Sequence, residues 1–227
     1  MATSSCPLST RFPPNALLLP HPCQKRSKAT RPRSHRRVSA FATGSVRTGD
    51  SLRAKADLLR LISDQERGLR TQIDPSKRKE IIRAIEELAL YGEGTVTTGA
   101  SLSGTWRMLW TTEKEQLFII KNARLFGTET GDVLQVIDVE KGVLNNAITF
   151  PPSGVFFVRS SIDPEPPQRV NFRFTSAVLR TGKGEIPLPP FGKGWFDSVY
   201  LDEEIRVAKD IRGDYLVVDR APYSWTE

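Results

Sequence analysis

Residues 100 to 116 read "ASLSGTWRMLWTTEKEQ". Gly104, Trp106, Met108 and Trp110 fall at every second position, the spacing that puts side chains on one face of a β-strand. Glycine at the opening of such a strand lets the chain bend sharply, as the corner of a barrel requires. An inward Trp106 then plugs the end, and Met108 and Trp110 continue the same face up the wall. Far along the chain, Leu216, Val218 and Arg220 share a face of the last strand-like run. In a closed sheet the first and last strands are neighbours. Arg220 is then expected to lie across Trp106 by cation–π stacking, with Gly104 completing the closure.

The runs between those ends support a closed sheet. "GTWRMLWTT", "VLQVIDVE", "GVLNNAITF", "GVFFVRSSI", "RVNFRFTSAV", "WFDSVYLD", "EIRVAKD" and "DYLVVDR" are strand-like and are separated by turn signals such as "TETGD", "PPSG", "DPEPPQ", "TGKGE" and "IRGD". Alternation is cleanest in "RVNFRF", where Val170, Phe172 and Phe174 oppose Arg169, Asn171 and Arg173. The fold class is therefore mainly β, an antiparallel barrel of about eight strands, wide enough for side chains or one small ligand. Two helices precede it. Leu52, Leu59, Ile62 and Leu69 mark the first. "DPSKRKEIIRAIEELALYG" gives the second, with Asp74 as N-cap, Pro75 in the first turn, Gly92 as the stop and a stripe of Ile81, Ala84, Ile85 and Leu88.

Charge divides the chain. The formal net charge is +7, yet residues 1–49 hold nine Lys/Arg, twelve Ser/Thr and six Pro with no acidic residue. The remainder carries 24 basic and 26 acidic side chains, too balanced for a basic nucleic-acid surface. The N-terminal segment reads as an organelle transit peptide, its prolines favouring a plastid, with cleavage expected near residue 40 in "VSAFA". The domain plan is thus 1–49 transit peptide, disordered; 50–92 helical pair; 93–100 linker; 101–227 barrel.

All Cys and His residues, Cys6, Cys23, His21 and His35, lie in that segment. Its removal leaves no thiol nucleophile, no disulfide, no Ser–His–Asp triad and no usual zinc site. We therefore expect no enzyme activity, no catalytic residue, no metal and no cofactor. "TGKGE" and "GKG" lack the spacing of a phosphate loop. The acid run Asp202–Glu204 sits on a turn and is expected to face water. Asp197 and Asp219 are candidates for ion pairing with Arg206.

Leu102-x-Gly104-x-Trp106 with the last-strand Arg220 resembles the lipocalin signature. Extended through "LWTT", and joined to "IPLPPFGKGWFDSVYLDEEIRVAKDIRGDYLVVDR" (186–220), the pattern is similar to the two ends of the plastid lipid-associated protein (fibrillin, plastoglobulin) domain. The matching elements are Pro187–Pro190, Trp195–Val199, Tyr200–Leu201–Asp202, Arg206 and Gly213. The resemblance covers roughly 51–221 and implies a non-enzymatic plastid protein that binds or organises isoprenoid or other neutral lipids at thylakoids or plastoglobules. The alternative it implies is a scaffold for an enzyme of plastid isoprenoid synthesis. Expected partners are a hydrophobic lipid or isoprenoid ligand, a thylakoid or plastoglobule surface and such an enzyme, with no nucleic acid.

Trp106, Met108, Trp110, Phe156, Val158, Phe172 and Phe174 are the candidate ligand-lining residues, unless they only fill a core. Pro189, Phe191, Trp195 and Phe196 form a candidate lid or membrane-touching loop. The tail "APYSWTE" has no assignment from the sequence.

Overall fold

The computed structural model describes residues 42–126, 128–190 and 192–226. Helices α1 (Ala42–Ile62) and α2 (Pro75–Gly92) precede strand β1 (Gly104–Thr111) and helix α3 (Lys114–Asn122). Eight strands follow: β2 (Val133–Asp138), β3 (Val143–Phe150), β4 (Gly154–Glu165), β5 (Arg169–Thr181), β6 (Gly184–Leu188), β7 (Lys193–Leu201), β8 (Ile205–Asp210) and β9 (Tyr215–Arg220). All pair antiparallel in one sheet, which closes through β4–β5 and β1–β9. Eight strands make the ring, as the alternation predicts. The ninth, β6, lies off it and pairs only with the far half of β5, because residues 169–173 of β5 pair with β7 while 177–181 pair with β6.

Closure rests on the first and last strands. Trp106 stands opposite Arg220, whose Cζ is 4.2 Å from the indole centroid. The ring is fully buried, and its Nε1 donates to Leu102 O at 2.9 Å. Arg220 is held in place by donating to the carbonyls of Ser101, Ser103 and Glu203. Gly104 has φ +146, and a Cβ there would come 2.4 Å from Arg220 Nη1. The position needs glycine both for its backbone and for the guanidinium above it.

Helices α1 and α2 cover the outside of β1 and β7–β9. Leu58, Leu61, Ile62, Ile81, Ile85 and Leu88 pack on Trp110, Tyr200, Ile205, Val207, Tyr215 and Val217. This cover explains "IRVA" and "YLVV", in which four consecutive residues are buried: one face meets the helices and the other the lumen. In α1 the core positions are Ala54, Leu58, Leu61 and Ile62; of the expected stripe Ile62 is buried and Leu59 packs partly against the core, while Leu52 is exposed. The helix also ends at Ile62, short of Leu69. Asp74 caps α2 as expected, accepting from Lys77 N. Lys55 of α1 is buried against the barrel and pairs with Asp202 and Glu204, both at 2.7 Å. Burial alone would lower its pKa, but these two hydrogen bonds hold it above the ordinary lysine value. Of the turn acids, Glu203 and Glu204 are exposed as expected, while Asp202 is half-buried and, with Glu204, clamps Lys55.

The C-terminal tail covers the opposite outer face. Trp225 stacks on Phe157 with centroids 5.3 Å apart, beside Leu134, Ala147 and Val155, and Tyr223 hydrogen-bonds Asp132.

Trp106→Ala should cost about 3–5 kcal/mol, as expected for truncating a buried aromatic ring. Arg220→Ala should cost less, roughly 1–2 kcal/mol, since cation–π and packing terms are smaller and the carbonyls it leaves are exposed or half-buried. Denaturant titration of both variants and the double mutant checks the contact. A coupling above about 0.5 kcal/mol is expected, whereas additive effects would show that the two residues act separately.

Candidate functional site

The barrel is not filled. A cavity of about 580 Å³ occupies the lumen, within the roughly 300–1,000 Å³ range of ligand sites. Its walls are mostly apolar: Met108 from β1, Val133 from β2, Phe156 and Val158 from β4, Phe172 and Phe174 from β5, and Leu216 and Val218 from β9. The mouth is built by α3, the start of β7 and the β8–β9 turn, which contribute Glu113, Gln116, Lys193, Asp210 and Arg212. The opposite end is shut by Trp106.

One cation lies deep in this apolar space. Arg206, the second residue of β8, pairs with Val218 and shares its inward face. It is 0 % exposed. Its Cζ lies 5.3 Å from the Phe196 centroid and 5.6 Å from that of Trp106. Nη2 donates to Gln135 Oε1, and Gln135 Nε2 donates to Asn146 Oδ1 at 2.9 Å. Among the described residues Nε and Nη1 have no acceptor. Burial pushes the guanidinium down to about 9, with the charge of Glu113 acting in the other direction. The group remains cationic near neutral pH.

These ends, and the barrel between them, have relatives. A family model described as PAP_fibrillin matches residues 52–219. The chain belongs to the PAP/fibrillin family. It is 66 % identical over 195 residues to "Probable plastid-lipid-associated protein 11, chloroplastic" of Arabidopsis thaliana, covering 86 % of this chain and 92 % of that protein. No solved structure matches it. The protein is chloroplastic, like this relative.

In this PAP/fibrillin barrel the expected lining residues separate into three groups. Met108, Phe156, Val158, Phe172 and Phe174 stand on the cavity wall. Trp106 lies below it, as the plug. Trp110 is not in the lumen at all. The β1–β9 register shifts between Met108 and Trp110, so Trp110 opposes Val217 and is buried under the helices. The bulge inserts one residue and reverses the alternation beyond it.

The expected lid also changes. Phe196 points inward, buried against Arg206 and the cavity, so it cannot touch a membrane. Trp195 faces outward beneath Arg169, whose Cζ is 3.8 Å from its ring centroid. Pro189 is exposed, and Phe191 falls outside the described residues. Asp197 and Asp219 do not pair with Arg206. Asp197 takes Arg169 in two hydrogen bonds at 2.8 and 2.9 Å, and Asp219 takes Arg107 at 3.1 and 2.6 Å. Both pairs lie on the outer face, opposite in parity to Arg206.

Gln135, Asn146 and Glu113 escaped the sequence reading. A signal existed for two of them: Gln135 interrupts the inward series Val133–Ile137, and Asn146 the series Leu144–Ile148. Glu113 is half-buried in the mouth and accepts from Gln116 Nε2 at 2.6 Å. Burial pushes its carboxyl from 4.5 up to about 7, while the Gln116 hydrogen bond acts the other way.

The folded state therefore favours the neutral acid. This stabilising contribution is complete below the ordinary pKa of 4.5 and is lost as pH rises through about 7. Glu113→Gln mimics the neutral form. It should melt with the wild type at pH 4 and a few degrees above it at pH 8. A constant difference across that window would show that Glu113 is not the group responsible.

Proposed function

We propose that this chloroplast protein is non-enzymatic and holds one largely apolar lipid inside its barrel, working peripherally at thylakoid or plastoglobule surfaces. The observation that carries this reading is the hollow lumen, with its wall of Met108, Phe156, Val158, Phe172 and Phe174. An interior of this width has no need of a cavity for stability, because closing it with side chains would gain packing. Family membership and the printed name of the Arabidopsis relative, a plastid-lipid-associated protein, support the same role. Isoprenoid and other neutral lipids are the class that the family resemblance implies.

No described helix is long and apolar enough to cross a membrane. Surface contact is assigned to the β5–β6 hairpin, where Ile186 and Leu188 are exposed beside Pro189. Within residues 1–49 the transit peptide is cleaved near residue 40, ahead of α1 (Ala42–Ile62).

The test is native purification from chloroplasts followed by lipid extraction and mass spectrometry. About one lipid per chain is expected. Val158→Trp, which places an indole in the cavity, should abolish co-purification while the protein still folds, at a cost of about 1–3 kcal/mol for overpacking. Equal lipid content in wild type and variant would place the lipid outside the barrel.

A further inference from the structure

The lumen holds a charge that no acid among the described residues neutralises by contact. Arg206 sits at the closed end of the cavity, four residues along β8 from Asp210 at the mouth, a depth of about 13 Å at strand rise. Its two unpartnered nitrogens, Nε and Nη1, are buried in that interior. Most buried charges are paired, because an unpaired one costs several kcal/mol. The acids within reach have other engagements. Asp197 and Asp219 are on the outside with Arg169 and Arg107, and Glu113 is in the mouth, held by Gln116. Two inward hydroxyls, Ser160 and Ser198, are likewise buried without a hydrogen-bond partner.

We propose that the lipid of this barrel carries a free carboxylate and enters head first, with its carboxylate on Arg206 and its acyl chain along Val158, Phe172 and Phe174 toward the mouth. The proposal rests on the lipid-cavity reading above and replaces a wholly neutral lipid with a long-chain acid. A planar guanidinium matches a carboxylate in geometry, and the charge-assisted hydrogen bonds are the strong ones. The count of charges selects the head. A neutral carbonyl would leave the cation uncompensated. A phosphate dianion would bring a second charge with no second cation at the closed end to meet it: Lys193 and Arg212 stand at the mouth, and Arg220, half-buried on the far side of the Trp106 ring, donates to the Ser101, Ser103 and Glu203 carbonyls. One buried cation fits one monoanion.

The delipidated full chain is titrated with cis-parinaric acid and with its methyl ester, read by fluorescence below the aggregation limit of each. The acid should bind wild type about 10- to 100-fold more tightly than the ester, the range for a charged hydrogen-bond pair. Arg206→Met, with folding checked by its melting curve, should bind the ester as wild type does and lose the preference for acid. Equal affinity of wild type for acid and ester overturns the carboxylate assignment while leaving the lipid cavity standing. Failure of wild type to bind either probe overturns the lipid-cavity reading itself, and the proposal with it. An alkyl phosphate that displaces the acid more strongly than a second fatty acid also overturns the assignment. Should Arg206→Met fail to fold, carbon NMR of carboxyl-labelled palmitate on wild type decides. A carboxyl that stays ionised well below the free-acid range supports the pairing, and one that titrates as the free acid refutes it.

Discussion

The contact of Arg220 with Trp106 is the constraint on which the rest of the molecule depends. A β-sheet that ends in open edges must cover or blunt them, and closure removes them. Here closure brings residue 106 against residue 220, the longest loop the barrel strands have to close. A single guanidinium serves both partners. Its face covers the indole, and its N–H groups take the carbonyls of the turn before β1 and the turn after β7. Gly104 is the position that leaves room for it. The plug, the corner and the seam are therefore one interaction.

Closure also decides where the helices belong. The tilted wall of β1 and β7–β9 presents apolar residues outward as well as inward, and α1 and α2 bury the outer set. Gly92 at the end of α2 lies so close to the sheet that a Cβ would meet Val199 O at 2.0 Å. Lys55 fastens α1 to the β7–β8 turn from the other side. With the C-terminal Trp225 on the outer face of β2–β4, the barrel is supported from outside. That support allows the inside to remain hollow without loss of shape.

The cavity keeps the usual arrangement of an apolar interior with polar groups outside, with one exception. Ionic side chains on the outer wall, such as Arg107 with Asp219 and Arg169 with Asp197, are matched pair by pair. Below the mouth the inner wall is apolar apart from the hydroxyls of Ser160 and Ser198 and the Arg206–Gln135–Asn146 chain, whose guanidinium is left part-satisfied. Satisfied networks specify a core, whereas part-satisfied ones are costly. A barrel built only for stability would not keep one in its deepest layer.

Much of this was legible in the residues. Period-two alternation is legible where one face is wet and the other dry, as in β5, while β8 and β9, buried on both faces, are marked by short apolar runs between turn signals. The glycine, tryptophan and arginine of the closure stand out because few residue types serve at such positions. Asp74 and Pro75 announce α2 for equally local reasons. The family resemblance, carried by both ends of the domain, agrees with the match over 52–219. Other features are decided by pairing across the sheet. One extra residue between Met108 and Trp110 turns Trp110 from lumen to helix interface, and no spacing within β1 records that shift. Strand β6 pairs along one edge only, and its residues are all exposed, so it lacks the buried face that makes a strand readable. The partners of Asp197 and Asp219, and the lack of an acidic one for Arg206 among the described residues, depend on which face each occupies and what stands opposite. The sequence by itself determined the barrel, its plug and its helices through local patterning. Only the tertiary structure decided which charges meet and what the lumen holds, because register and bulges are properties of strand pairs rather than of strands.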